Sequence, residues 1–282
     1  MLSSASIAEA VRAAIPQAAD SLRPDFLAAL EASLQSERSV RGRAVLAQLV
    51  ENARIAQADC VPLCQDTGTV WVRIELGEQE CVCGDLQAAI DIAVAEAYRD
   101  AKLRMSVVRD ALLDRTNTGD NTPAFVEIAL GARPGTGATV HVMLKGGGSD
   151  NASRIEMLAP GAGLAGVKRV VLETVEAKAT GACPPLLVGV GVGATFDKVG
   201  GLAKKALLRP IGTAPSNPRL AEFEAELLSA INELGIGPAG LGGDTTALAV
   251  HIVTAPCHIA ALPVAVNMGC SAVRTVTVEV GA

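Results

Sequence analysis

The residues best equipped for chemistry in this sequence are its seven cysteines, its three histidines and the glycine-rich stretches beside them. An odd number of cysteines spread over 282 residues argues for reduced thiols serving as ligands, nucleophiles or filler, not for a disulfide framework. Cys64 precedes Gln65-Asp66-Thr67-Gly68, Cys183 precedes Pro184-Pro185, and Cys270 follows Gly269, so each of these three adjoins a turn signal. Cys81 and Cys83 form a Cys-x-Cys pair with no second pair at metal spacing, while Cys60 and Cys257 read as buried filler. Three loop thiolates that meet could hold an iron–sulfur cube and leave one iron open, a Lewis acid toward hydroxyl and carboxylate oxygens that is suited to dehydration. Spacing alone leaves that possibility beside the plainer one of three core cysteines.

The glycines cluster next to these residues: Gly68 after Cys64, Lys145-Gly146-Gly147-Gly148-Ser149, Gly189 to Gly193, and Gly235 to Gly243. Any one cluster reads as a tight turn; four together point toward a site. In Lys145-Gly146-Gly147-Gly148-Ser149 the lysine precedes the glycines, which is not the Walker order, and the segment offers instead a nest of N–H donors suited to a carboxylate. Gly189-Val190-Gly191-Val192-Gly193 lacks the third glycine at Rossmann spacing and lies in what reads as a strand. His141, His251 and His258 are scattered, without zinc spacing.

The elements that must position these residues are legible from periodicity. The first sixty residues read as helical, with Phe26, Leu27, Leu30 and Leu34 on one face and Val40, Ala44, Leu46, Leu49 and Val50 starting another stripe. Val70, Val72 and Ile74 alternate with Trp71, Arg73 and Glu75, and Val140, Val142 and Leu144 with His141 and Met143, which predicts strands. Helices are predicted over 86–102, 167–179, 198–208 and 220–234, the last with an acidic outer face. The apolar runs 186–192 and 260–266 read as strands buried on both faces, which requires helices on either side of a sheet. The expected class is α/β: mixed sheet layers covered by helices, with a helical N-terminal layer. Residues 1–282 are read as one catalytic domain, and the proline-bearing stretch 209–217 suits a linker and a surface loop equally, so no domain boundary is placed there.

Composition narrows the function. A formal charge of −6 with basic residues interleaved among acids argues against nucleic acid, and 2% aromatics removes stacking platforms. No apolar stretch is long enough to span a bilayer, so no membrane partner is expected. The segment 1–14 lacks a basic start followed by an apolar run and does not read as a secretory signal, so a cytoplasmic location is expected.

Taken together, Leu63-Cys64-Gln65-Asp66-Thr67-Gly68, Lys102-Leu103-Arg104-Met105-Ser106, the stretch from Arg115 to Ala124 and Lys145-Gly146-Gly147-Gly148-Ser149-Asp150-Asn151 resemble the oxygen-sensitive class I fumarate hydratases and L-tartrate dehydratases. Ala182-Cys183-Pro184-Pro185, the stretch from Gly235 to Gly243, and His258 to Val264 leading to Cys270 are similar to further signatures of that family. The resemblance implies a [4Fe–4S] cluster ligated by Cys64, Cys183 and Cys270, whose fourth iron takes the substrate's hydroxyl and a carboxylate. It implies substrate binding by Gln65, Arg104, the Gly147 amide and His258, and catalytic support of proton removal by Asp66. Asn117 and Asn121 match family positions too, where they can equally brace the loop.

Single-chain members of that family continue into a second domain carrying the threonine base, and this sequence stops at Ala282. The expectation is therefore an α subunit completed by a separate β subunit, as a dimer of heterodimers. Its expected reaction is reversible hydration and dehydration of a C4 dicarboxylate, fumarate and malate in the first instance and tartrate as the alternative. A non-catalytic iron–sulfur sensor or accessory subunit is the competing reading, and Gln65, Arg104 and His258 argue against it, because a sensor has no use for dicarboxylate ligands.

Overall fold

The computed structural model describes residues 1–281. In chain order it contains β1 (Leu2–Ser3), α1 (Ser4–Asp20), α2 (Pro24–Ser36), α3 (Val40–Asp59), β2 (Thr69–Gly77), β3 (Val82–Cys83), α4 (Leu86–Asp100), β4 (Phe125–Arg133) and β5 (Ala138–Lys145). There follow α5 (Gly147–Asn151), β6 (Arg154–Leu158), α6 (Gly163–Lys178), β7 (Leu186–Ala194), α7 (Phe196–Ala206), α8 (Pro218–Glu233), β8 (Ala247–Cys257), β9 (Leu262–Gly269) and β10 (Arg274–Val280). The expected α/β class with mixed sheets and a helical N-terminal layer is what forms. Contacts divide the chain into two compact units. The first comprises Met1–Arg23, Ala53–Gly147 and the segment from Arg274 onward; the second comprises Pro24–Asn52 and Gly148–Val273.

The first unit is built on a sheet of order β10-β5-β2-β4, with β2 antiparallel to β5, β5 antiparallel to β10, and β2 parallel to β4. Val70, Val72 and Ile74 of β2 and Val140 and Val142 of β5 are fully buried against Ile7, Val11 and Ile15 of α1 and Ile90, Val94 and Tyr98 of α4. Both helices start on capping residues: Ser3 accepts from the Ser6 N–H at 3.1 Å and Asp85 from the Ala88 N–H at 3.0 Å. The opposite face of β2 is not the solvated face that alternation suggests. Trp71 and Arg73 are buried, and Arg73 is neutralised by Glu75 at 3.0 Å and by Glu127 on β4.

The second unit is built on a sheet of order β6-β9-β7-β8, with β7 antiparallel to β9, β9 antiparallel to β6, and β7 parallel to β8. Val188 and Val190 of β7 pack with Val170 and Val171 of α6 and Leu227 and Ile231 of α8. Successive residues of a strand point to opposite faces, so Gly189 and Gly191 face the other way, toward α7. A Cβ on Gly189 would lie 2.2 Å from the Ala203 carbonyl oxygen, and one on Gly191 2.4 Å from that of Val199. The Gly-x-Gly pattern thus lets α7 lie directly on the sheet, and helices cover both faces of β7 as its apolar run requires. The acidic outer face expected of α8 is interrupted at Glu224, which turns inward to accept the Ile252 N–H at 2.6 Å and to pair with Arg209.

Candidate active site

In the first unit the chain leaves α3, passes Cys64 and enters β2 through the loop Gln65-Asp66-Thr67-Gly68. Gly68 has φ +79°, and a Cβ there would lie 2.5 Å from the Lys145 carbonyl oxygen, so only glycine lets this loop run against the end of β5. Side chains from four directions then fix the loop. The Tyr98 hydroxyl on α4, fully buried, lies 3.1 Å from the carbonyls of both Thr67 and Gly68. Burial raises the Tyr98 pKa, against the opposing charge of Arg274, so the phenol stays a donor. The Asn121 amide donates to the Gly68 carbonyl at 3.2 Å while its oxygen accepts the Ser106 N–H at 2.7 Å. The Thr67 hydroxyl donates to the Arg104 carbonyl at 2.5 Å, and the Arg274 guanidinium donates to the Asp66 carbonyl.

Four of the residues implied by the resemblance meet here in two pairs. The Arg104 guanidinium donates to the Gln65 side-chain oxygen, both groups being exposed. Asp66 accepts the Gly68 N–H at 3.1 Å through one oxygen and the Gly147 N–H at 2.9 Å through the other. The nest at the end of β5 therefore does hold a carboxylate, and in this structure that carboxylate is Asp66. Asn121 thus braces this loop, whereas Asn117 braces its own segment, donating to the Met105 carbonyl at 2.9 Å and accepting the Gly119 N–H at 2.8 Å.

In the second unit Cys183 and Cys270 stand on neighbouring loops, because the Ser271 N–H donates to the Cys183 carbonyl at 2.9 Å. Cys183 is exposed in a left-handed conformation (φ 56°, ψ 71°), and Cys270 is partly exposed at the end of β9. His258 is exposed in the turn between β8 and β9, where its Nδ1 accepts the Ala260 N–H at 3.1 Å. A backbone N–H can only donate, so that nitrogen is unprotonated, and the remaining nitrogen, Nε2, is the one available to donate outward.

None of the seven cysteines is deeply buried; Cys60 and Cys257, expected to be buried filler, are exposed. Cys60 lies just past the end of α3 and Cys257 at the last residue of β8, positions that face solvent. Among the described residues, no three His, Cys, Asp or Glu side chains are grouped around a position for a single metal ion. A cubane cluster makes a different demand, one thiolate per iron. Partly or fully exposed thiols at Cys64, Cys183 and Cys270, two of them on loops joined by a hydrogen bond, fit that donor chemistry.

Arg274, at the first residue of β10, escaped the sequence reading. It is 2% exposed, it carries the Asp66 carbonyl, and its Nε has no hydrogen-bond partner. A buried cation with a spare donor beside an Asp-Gly loop is a natural anion anchor. The one visible signal was an arginine opening an alternating Thr-Val pattern four residues after Cys270.

The sequence model of the family described as Fumarate hydratase (Fumerase) matches residues 8–279. A Methanocaldococcus jannaschii protein provisionally named L(+)-tartrate dehydratase subunit alpha is 40% identical over 262 residues, 92% of this chain and 92% of that protein. The L(+)-tartrate dehydratase subunit alpha of Escherichia coli K12 is 36% identical over 260 residues, 92% of this chain and 85% of that protein. The chain belongs to the fumarate hydratase family.

Proposed function

We propose that this chain is the α subunit of an iron–sulfur hydro-lyase that adds water to, or removes it from, a C4 dicarboxylate, with a separate β subunit completing the active site. The observation that carries this reading is the Cys64–Gly68 loop, where an Arg104–Gln65 pair and an amide-held Asp66 stand directly after a partly exposed thiol. Cys64, Cys183 and Cys270 would hold a [4Fe–4S] cluster. When bound, such a cluster supplies a Lewis-acidic iron for the hydroxyl that leaves or enters.

The chain's own residues do the rest. A dianion approaching a protein of charge −6 needs local cations, and Arg104 offers a planar fork for a carboxylate, with the Gln65 amide as a second donor once the pair opens. His258 offers its outward Nε2–H to a carboxylate oxygen. Asp66 keeps its orientation through two backbone amides, which fits a group that orients proton transfer. The Gly147 amide reaches a substrate carboxylate only in exchange for Asp66, so the two roles implied for Asp66 and Gly147 are alternatives in time.

Fumarate and malate are the first substrates to test. The names of the relatives favour tartrate as the second. Anaerobic co-expression with the separately encoded β chain, followed by assays on malate, fumarate and tartrate, decides between them; no turnover of any of the three with a bound cluster would favour the sensor reading. Dimerisation of the resulting heterodimer is read by mass in the same preparation.

A further inference from the structure

We infer that Glu37 is a positioning residue for Cys183, acting through the glycine-rich segment 237–246; the inference rests on the reading of Cys183 as a cluster ligand. Glu37 follows the last residue of α2 and is 2% exposed. A buried carboxylate is unfavourable unless its oxygens are satisfied, and here they are satisfied by backbone. Oε1 accepts the N–H groups of Ser39 and Asp244, both at 2.9 Å, and Oε2 accepts those of Asp244 and Thr245, both at 3.0 Å. Gly243 makes the approach possible, since a Cβ there would lie 3.0 Å from Oε1. Burial by itself raises the Glu37 pKa, but the amides of Asp244 and Ser39 and the hydroxyl and amide of Thr245 outweigh it, leaving a carboxylate charged at neutral pH.

From the segment that Glu37 holds, two bonds reach the residues after Cys183. The Thr246 carbonyl accepts the Leu186 N–H at 2.9 Å, and the Ala239 N–H donates to the Pro184 carbonyl at 2.8 Å. Between them the glycine loop is closed on itself, with the Gly237 N–H donating to the Thr246 hydroxyl at 3.1 Å and the Gly242 N–H to the Ile236 carbonyl at 2.9 Å. Cys183 holds a left-handed backbone that a non-glycine residue keeps only when its surroundings impose it. Those surroundings are the Ser271 N–H on one side and this loop on the other, and Glu37 is the buried charged side chain that anchors the loop to the end of α2. The exposed Arg38–Asp244 ion pair beside it, 2.6 Å long, is solvated and serves as a control.

The test uses the full chain, first free of cluster. In Glu37→Gln, hydrogen exchange of the peptide covering 183–187 should accelerate about fivefold or more, the factor set by leaving a buried amide without its acceptor, while α6 and β8 keep their protection. Glu37→Asp, which retains the charge at shorter reach, should fall between the two, and Arg38→Ala should change nothing at 183–187. After anaerobic reconstitution, Glu37→Gln should lose iron to a chelator about fivefold faster and show an altered paramagnetic resonance signal for the reduced cluster, effects that Glu37→Asp partly restores. Unchanged exchange at 183–187 in Glu37→Gln overturns the inference, as does an equal rise across the whole second unit in both Glu37 variants. If the unsubstituted chain takes up no cluster, the ligand reading of Cys183 fails by itself, because the exchange data decide the clamp without it.

Discussion

The two sheets carry the same succession of strand directions, antiparallel, antiparallel, parallel, in β10-β5-β2-β4 and in β6-β9-β7-β8. In each, a cysteine-bearing loop enters the third strand of that order, and the strand beside it returns to end against the same loop. The second residue past that returning strand then donates its N–H across: Gly147 to Asp66 in the first unit, Ser271 to the Cys183 carbonyl in the second. What differs is the kind of bond that fixes the loop. The Cys64 loop is held by the side chains of Tyr98, Asn121, Thr67 and Arg274, whereas the Cys183 loop is held at first hand by backbone to backbone bonds from Ala239, Leu186 and Ser271. One strand plan can thus present a thiol on a side-chain scaffold, vulnerable to single substitutions, or on a main-chain scaffold that only changes of backbone or of a distant anchor can disturb.

The largest expected effect removes the distinction altogether. Cys64→Ser, Cys183→Ser and Cys270→Ser should each abolish the visible absorbance of the anaerobically reconstituted cluster, while Cys60→Ser, Cys83→Ser and Cys257→Ser should leave it intact; equal losses in both groups would refute the ligand assignment. Gly68→Ala comes next. The added methyl meets the Lys145 carbonyl at 2.5 Å in a left-handed residue, and urea unfolding should register a loss of about 3 kcal/mol.

Arg274→Leu then sharpens the contrast between the loops. It leaves the part-buried Asp66 carbonyl without its charged donor, at a cost of about 2 kcal/mol, whereas Ser271→Ala keeps the N–H that matters and should stay within about 0.5 kcal/mol. Similar losses for the two would show that the loops are not held differently. The smallest effect concerns acid. Glu37 titrates below its ordinary value of 4.5, so its contribution to stability is complete above that pH and is lost as pH falls through the depressed value. The acid limb of a pH–stability profile should therefore be shallower in Glu37→Gln than in the unsubstituted chain, and identical limbs would remove Glu37 from the acid response.

Much of this frame was legible beforehand, and the exceptions have definite causes. The alternation of Val70, Val72 and Ile74 placed β2, and the apolar run from Leu186 placed β7 with helices on both faces. β4 and β8 went unassigned: β4 because the adjacent apolar residues Phe125-Val126 and Ile128-Ala129-Leu130 of this edge strand blur the alternation, β8 because its Ala, Val and Thr residues suit helix and strand alike. Glu224 was expected on the outer face of its helix and Arg73 sits in an alternating strand, and each is buried because partners on other elements neutralise it. Cys60 and Cys257 were misread because a cysteine's burial depends on what the fold brings over it.

Local order was within reach of the sequence alone, because capping residues, strand alternation and turn glycines act over a few residues: it specified the α/β class, most elements and the three cysteine loops, while Gln65, Asp66 and Arg104 became candidates through the family resemblance. Tertiary structure alone decided that Arg274 lies beneath Asp66, that Asp66 occupies the Gly147 amide, and that Glu37 grips a segment some two hundred residues further along the chain. Buried charges and buried amides must find partners wherever the fold brings them, and no local pattern records which distant residue answers that need.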